Sequence, residues 1–195
     1  MATKDEIINL ALTRLGVRTI TPTEIAEQSN EAARRTTAVW NLVRQSVLRD
    51  HDWGFASKTV TLVPDDGNVL GWMYTYIYPT DCLCARALTN GSTPQPFEKL
   101  LSSDHIAIAC NVPDALLRYT TDVEDTALWD AVYVDAFAWR LAAELAKSLA
   151  GDDDKVSGMM QAYMMTISHA GAADAREGRR PEQPAGLGNP YYEVR

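Results

Sequence analysis

The feature that most constrains this chain is a sustained three-four spacing of apolar positions between about residues 24 and 52. Ala33, Thr36, Trp40, Val43 and Val47 recur on one side of an α-helix, and Val39, Leu42 and Leu48 widen the stripe. Arg34, Arg35, Arg44 and Arg49 occupy much of the remaining surface. The pattern predicts one helix from Thr23 or Glu24 to about Asp52, about 40 Å long at ~1.5 Å per residue. A helix of that length is a strut, or a packing surface for a neighbouring subunit.

Helical spacing recurs at both ends of the chain. Thr3 and Glu6 have capping-box spacing, Ile7, Ile8, Ala11, Leu12 and Leu15 follow at helical intervals, and Gly16 closes the segment. A third helix is expected from Asp125 to about Ala150, with Trp129, Val132, Tyr133, Ala136, Phe137, Leu141, Leu145 and Leu149 as a broad apolar band. So wide a band predicts central burial. Gly151-Asp152-Asp153-Asp154 interrupts it with a turn and a capping aspartate. A last helix from Asp154 to Arg176 carries Val156, Met160, Tyr163, Met164 and Ile167.

The middle of the chain changes period. Lys58 to Val63 alternates and stops at Pro64, and the aromatic, β-branched run Trp72 to Tyr78 is bounded by Gly71 and Pro79. Cys82 to Leu88, Ile106 to Cys110 and Leu116 to Thr121 are further strand candidates, and Asn90 to Pro94 reads as a turn. From Glu177 onward glycine and proline exclude regular structure, which predicts an extended arm ending in Tyr191-Tyr192. The expected fold is therefore mainly α. It is a helical bundle in a single domain, residues 1–176, with a small β-rich insertion at about 55–121 and an arm at 177–195.

Composition narrows function. Hydrophobic residues make up 46% of the chain, enough for a core without disulfides or metal. The net charge of −8 argues against sequence-reading DNA recognition, which needs a cationic surface. Cys82, Cys84 and Cys110 are odd in number and have no histidine at metal-ligand spacing, so they read as buried thiols in a reducing compartment. The first residues lack the pattern of a secretory signal, and no apolar run reaches the ~18–20 residues that span a bilayer.

No catalytic pattern emerges. His51, His105 and His169 have no metal-ligand neighbour at i+3 or i+4, and His51 is suited to the end of the long helix. Nucleophile elbows and phosphate-binding glycine motifs are missing. Asp152 to Asp154 lacks the spacing of a calcium loop, and Asp65-Asp66 and Glu124-Asp125 are ordinary turn and helix-start residues. The expectation is a non-enzymatic protein without cofactor or metal.

Several segments, in order, resemble one family. These are Asn9-Leu10-Ala11-Leu12 with Leu15-Gly16, Glu31-Ala32-Ala33, His51-Asp52-Trp53-Gly54-Phe55-Ala56 followed by Val60-Thr61-Leu62, and Tyr78-Pro79-Thr80-Asp81-Cys82-Leu83. Leu141-Ala142-Ala143-Glu144-Leu145-Ala146, Tyr163, Ala170 and Ala173 complete the set. The pattern is similar to tail tubular protein A of short-tailed phages and the related head-to-tail adaptors, or tail accessory factors.

The resemblance implies a homo-oligomeric ring, of twelve copies, beneath the portal protein. Such a ring extends the channel for double-stranded DNA, without sequence-specific binding, and docks a tail tube or nozzle protein. It would reside in the neck of the virion, assembled in the host cytoplasm, with no membrane partner. The arm would reach the portal, which makes Arg179, Arg180, Tyr191 and Tyr192 the candidate partner-binding residues. Some relatives are linked to cell-wall hydrolysis, so a peptidoglycan-degrading muramidase is one alternative. A helical partner-binding module is the other.

Overall fold

Local chemistry starts each helix. In α1 (Lys4–Leu15) the Thr3 hydroxyl accepts from the Glu6 N–H, the Glu6 carboxylate accepts from the Thr3 N–H at 2.8 Å, and Gly16 closes the helix at φ 71°. The computed structural model describes residues 2–177 apart from 68, 92 and 103, and side chains as far as residue 171. The arm expected at 177–195 thus lies outside the described residues beyond Glu177.

The single long helix expected up to Asp52 is in fact two. α2 (Pro22–Glu27) ends at Gln28, which is left-handed at φ 50°, and α3 (Glu31–Asp50) begins anew where the Asn30 side chain accepts from the Ala33 N–H. Thr21 and Glu24 form a second capping box around Pro22, a complete helix start, and Asn30 supplies another eight residues after Pro22. The apolar positions from Ala33 to Leu48 all lie within α3, so the extension back to Thr23 had no periodicity of its own behind it.

The third expected helix also starts later. Thr126–Leu128 forms a 3₁₀ turn, and Asp130 then caps α4 (Ala131–Leu145), which continues as one π-type turn, Ala146–Ala150. In α5 (Asp153–Glu177) the Asp152 carboxylate accepts from the N–H groups of Asp154 and Lys155.

These helices share one core. Ile7, Ile8 and Leu12 of α1, Val47 and Leu48 of α3, and Phe137 and Leu141 of α4 are all buried in it. Aromatic rings run through its centre: Trp129 stacks on Trp40 at 5.9 Å, and Tyr133 meets the edges of Trp53 and Phe55, each at 5.1 Å. The Trp53 indole donates to the Val47 carbonyl at 2.9 Å, satisfying its polar atom inside the core.

The segment between α3 and α4 corrects the expected fold class. It holds seven strands in two antiparallel sheets, so the protein is not a mainly α bundle with a small β insertion. The strands are β1 (Ser57–Thr61), β2 (Tyr74–Ile77), β3 (Cys82–Thr89), β4 (Pro94–Gln95), β5 (Phe97–Ser102), β6 (His105–Cys110) and β7 (Leu116–Thr121). One sheet has the order β1-β7-β3-β4 and the other β2-β6-β5. Pairing of Ser57 with Thr120 returns the chain to the helices where it left them.

The sheets pack face to face. Leu88, Leu117 and Tyr119 of the first meet Tyr76, Ile108 and Cys110 of the second in a core of their own. The candidates Cys82 to Leu88, Ile106 to Cys110 and Leu116 to Thr121 form β3, β6 and β7, whereas β4 and β5 went unread. β4 is two residues long, and β5 reads Phe-Glu-Lys-Leu-Leu-Ser with no clean period.

Arginines join the two cores. The Arg86 guanidinium, from β3, donates to the Leu48, Arg49 and His51 carbonyls at the end of α3 and to the Thr120 hydroxyl on β7. It occupies the place of a helix C-cap, where carbonyls are otherwise orphaned. Arg118 donates to Asp52 at 2.5 Å. Arg44, expected on a solvated face, is buried instead, donating to Asp122 at 2.9 Å and Glu124 at 3.1 Å.

Candidate functional site

The chemistry-bearing residues singled out in the sequence are dispersed. His51 ends α3 with its ring against Trp53 at 4.8 Å, His105 begins β6 between Asp104 and Asp65, and His169 is exposed on α5. Among the described residues, no group of three or more His, Cys, Asp or Glu side chains could hold a metal ion. Asp152 caps α5, Asp153 faces Lys147 at 3.5 Å, and Asp125 caps the 3₁₀ turn.

The three cysteines carry free thiols. Burial pushes the Cys82 and Cys110 thiols up, opposite to the shift that makes a reactive thiolate. Three carboxyls move downward. Hydrogen bonds from the Thr21 backbone and then Arg18 bring Glu24 to about 2, Lys58 lowers Asp81, and His105 lowers Asp104. A glycosidase general acid needs the reverse shift.

Asp81 accepts from three different side chains, and its partners are structural. It accepts from Lys58 at 2.7 Å, Tyr119 at 2.8 Å and Thr121 at 3.2 Å, pinning the turn before β3 to β1 and β7. His105 is raised, chiefly by its hydrogen bond to Asp104, and holds the start of β6.

What stands out is surface, not chemistry. Seven of the twelve large apolar residues left exposed are Val63, Leu70, Met73, Tyr74, Ile77, Leu101 and Ile106, all on the β2-β6-β5 sheet or the segment leading into it. The Trp72 indole donates to Glu98 on β5, and Asp65 accepts from Ser102 and meets His105. The segment therefore crosses the sheet's outer face, where β6 presents His105, Ala107 and Ala109. A patch of this kind marks an interaction surface.

Sequence reasoning missed this patch. Leu100 and Leu101 point to opposite faces, and Leu101, on the face of Phe97 and Ile106, is exposed because it lies at the end of its strand beyond the inter-sheet core. The residues that were singled out, Arg179, Arg180, Tyr191 and Tyr192, lie outside the described residues. Among the described residues, no helix is long and apolar enough to cross a membrane. Compared with models of known families and with curated proteins, the chain matches none.

Proposed function

We propose that this chain is a structural, non-enzymatic subunit of the ring that joins head to tail in a short-tailed phage. The observation that carries the reading is the exposed apolar surface concentrated on the β2-β6-β5 sheet, which a solitary subunit would leave in water. The ordered resemblance around Trp53 supplies the class of assembly. In this reading the copies form a twelve-membered ring under the portal protein, DNA passes through without being read, and a tail tube or nozzle protein docks below. The net charge of −8 suits a conduit that does not hold its cargo.

Electron microscopy of the full chain mixed with portal protein tests this directly. Rings stacked on the portal are expected, and persistent monomers would sink the reading. Residues 177–195, with Arg179, Arg180, Tyr191 and Tyr192, would grip the portal. Removing them is expected to weaken portal binding at least tenfold in a sedimentation assay, and unchanged binding would refute that part.

A further inference from the structure

An open cleft of about 450 Å³ lies beside the end of α3, where the chain turns after β2; Arg49, Tyr78, Lys99 and Ile106 are among its lining residues. A second cleft flanks the same turn, sharing Ile77, Tyr78, Pro79 and Thr80 with the first and reaching Val63. Together they form a groove whose exposed rim is apolar: Val63, Ile77 and Ile106 are 62%, 42% and 42% exposed.

Two cations of this groove, like Lys4, Arg34 and Lys155 elsewhere, meet no carboxylate among the described residues. Arg14, Arg18, Arg35, Arg44, Lys58 and Arg118 each meet a carboxylate within 3.1 Å. Arg49 and Lys99 do not, among the described residues: Arg49 donates to the Leu83 carbonyl, and the Lys99 ammonium stands over the Tyr78 ring at 4.2 Å. No carboxylate lines the first cleft, and Asp81, which lines the second, is already held by Lys58 at 2.7 Å, although acidic residues outnumber basic ones 26 to 18. His105 also lines it, but Asp104 and Asp65 already face that ring.

A cationic, apolar groove on an acidic protein is complementary to that protein's own surface. We propose that the groove seats a neighbouring copy of this chain, whose carboxylates pair with Arg49 and Lys99 and whose apolar side chains cover Ile77 and Ile106. The contact is heterologous, groove against a different patch, which closes into a ring when the rotation between copies allows. The inference rests on the ring-subunit reading and names the surface that builds the ring.

The test is Arg49→Glu/Lys99→Glu in the full chain, with Arg49→Lys/Lys99→Arg as the charge-keeping control. Both side chains are exposed, so matching far-ultraviolet dichroism and melting would verify folding. Self-association is followed by sedimentation with and without portal protein, and rings are counted by electron microscopy. The reversal is expected to weaken association at least tenfold, the control to retain it, and raising salt to about 1 M, where screening acts within ~3 Å, to weaken the unmodified chain. Rings formed equally by the reversed variant would overturn this inference and leave the ring reading standing. Failure of the unmodified chain to assemble under any condition would overturn both.

Discussion

The helical core and the sheet core solve the same problem with different materials. Around α4 the interior is built from large side chains, with Tyr133, Phe137 and Leu141 fully buried and tryptophans packed against them. Between the sheets it is built from Tyr76, Leu88, Leu117 and Tyr119, and β6 contributes Ile108 and Cys110 to it while Ala107 and Ala109 are buried on the strand's other face. Among the described residues the helical region exposes five large apolar residues spread over α1, α3, the 3₁₀ turn and α5, whereas the β2-β6-β5 sheet with the segment leading into it exposes seven. One region carries them scattered and the other gathered.

Substitutions can break or sharpen that contrast. The largest effect is expected from Phe137→Ala, which empties the centre of the aromatic cluster and should cost about 3–5 kcal/mol in urea unfolding followed by tryptophan fluorescence. Trp40, Trp53 and Trp129 sit in that core and Trp139 packs against it, so the probe is made local by Trp72→Phe, which removes the indole that donates to Glu98 on β5. A loss under 1 kcal/mol would show that the cluster is not the stability centre.

Ile108→Ala, between the sheets, is expected to cost about 2–4 kcal/mol and to expose Cys82 and Cys110 to thiol reagents before tryptophan emission changes. Simultaneous change in both probes would mean that the cores open only together. Arg86→Ala removes the donor to the end of α3 and is expected to cost about 1–3 kcal/mol. Its sharper signature is separation of the thiol and fluorescence transitions; a single coincident transition would contradict the linking role.

The smallest effect concerns acid. Asp81 has its carboxyl lowered by Lys58 in the folded state, so its stabilising contribution is complete above the unfolded value of 3.8. That contribution is lost as pH falls through the lower folded value. Asp81→Asn should therefore flatten the acid limb of the stability curve, and identical limbs in both proteins would exclude the effect.

Much of the helical region was legible because its signals are local. Thr3, Glu6 and Gly16 mark α1 as they stand, and the band from Tyr133 to Leu145 marks α4. Errors arose where a helix was extended past a local cap, as at Gln28 and Asn30, or where a charged side chain found distant partners, as Arg44 found Asp122. Of the strands, β1, β2, β3, β6 and β7 were legible singly and β4 and β5 were not, and the two layers were hidden because pairing Ser57 with Thr120 is invisible to any short window. The exposed patch was least legible of all. Whether Leu101 or Ile106 faces water depends on which sheet each strand joins, which the strands themselves do not encode.

The Arg86 cap orders events in time. Leu48 is synthesised 38 residues before the guanidinium that closes its turn, so a growing chain carries the frame of α3 with an unfinished end. That end waits for β3 to emerge and reach it. The helical core also waits for α4 and α5, which lie beyond all seven strands. The sheets are thus complete in sequence first and close α3 from behind, before the helices that cover its other side arrive.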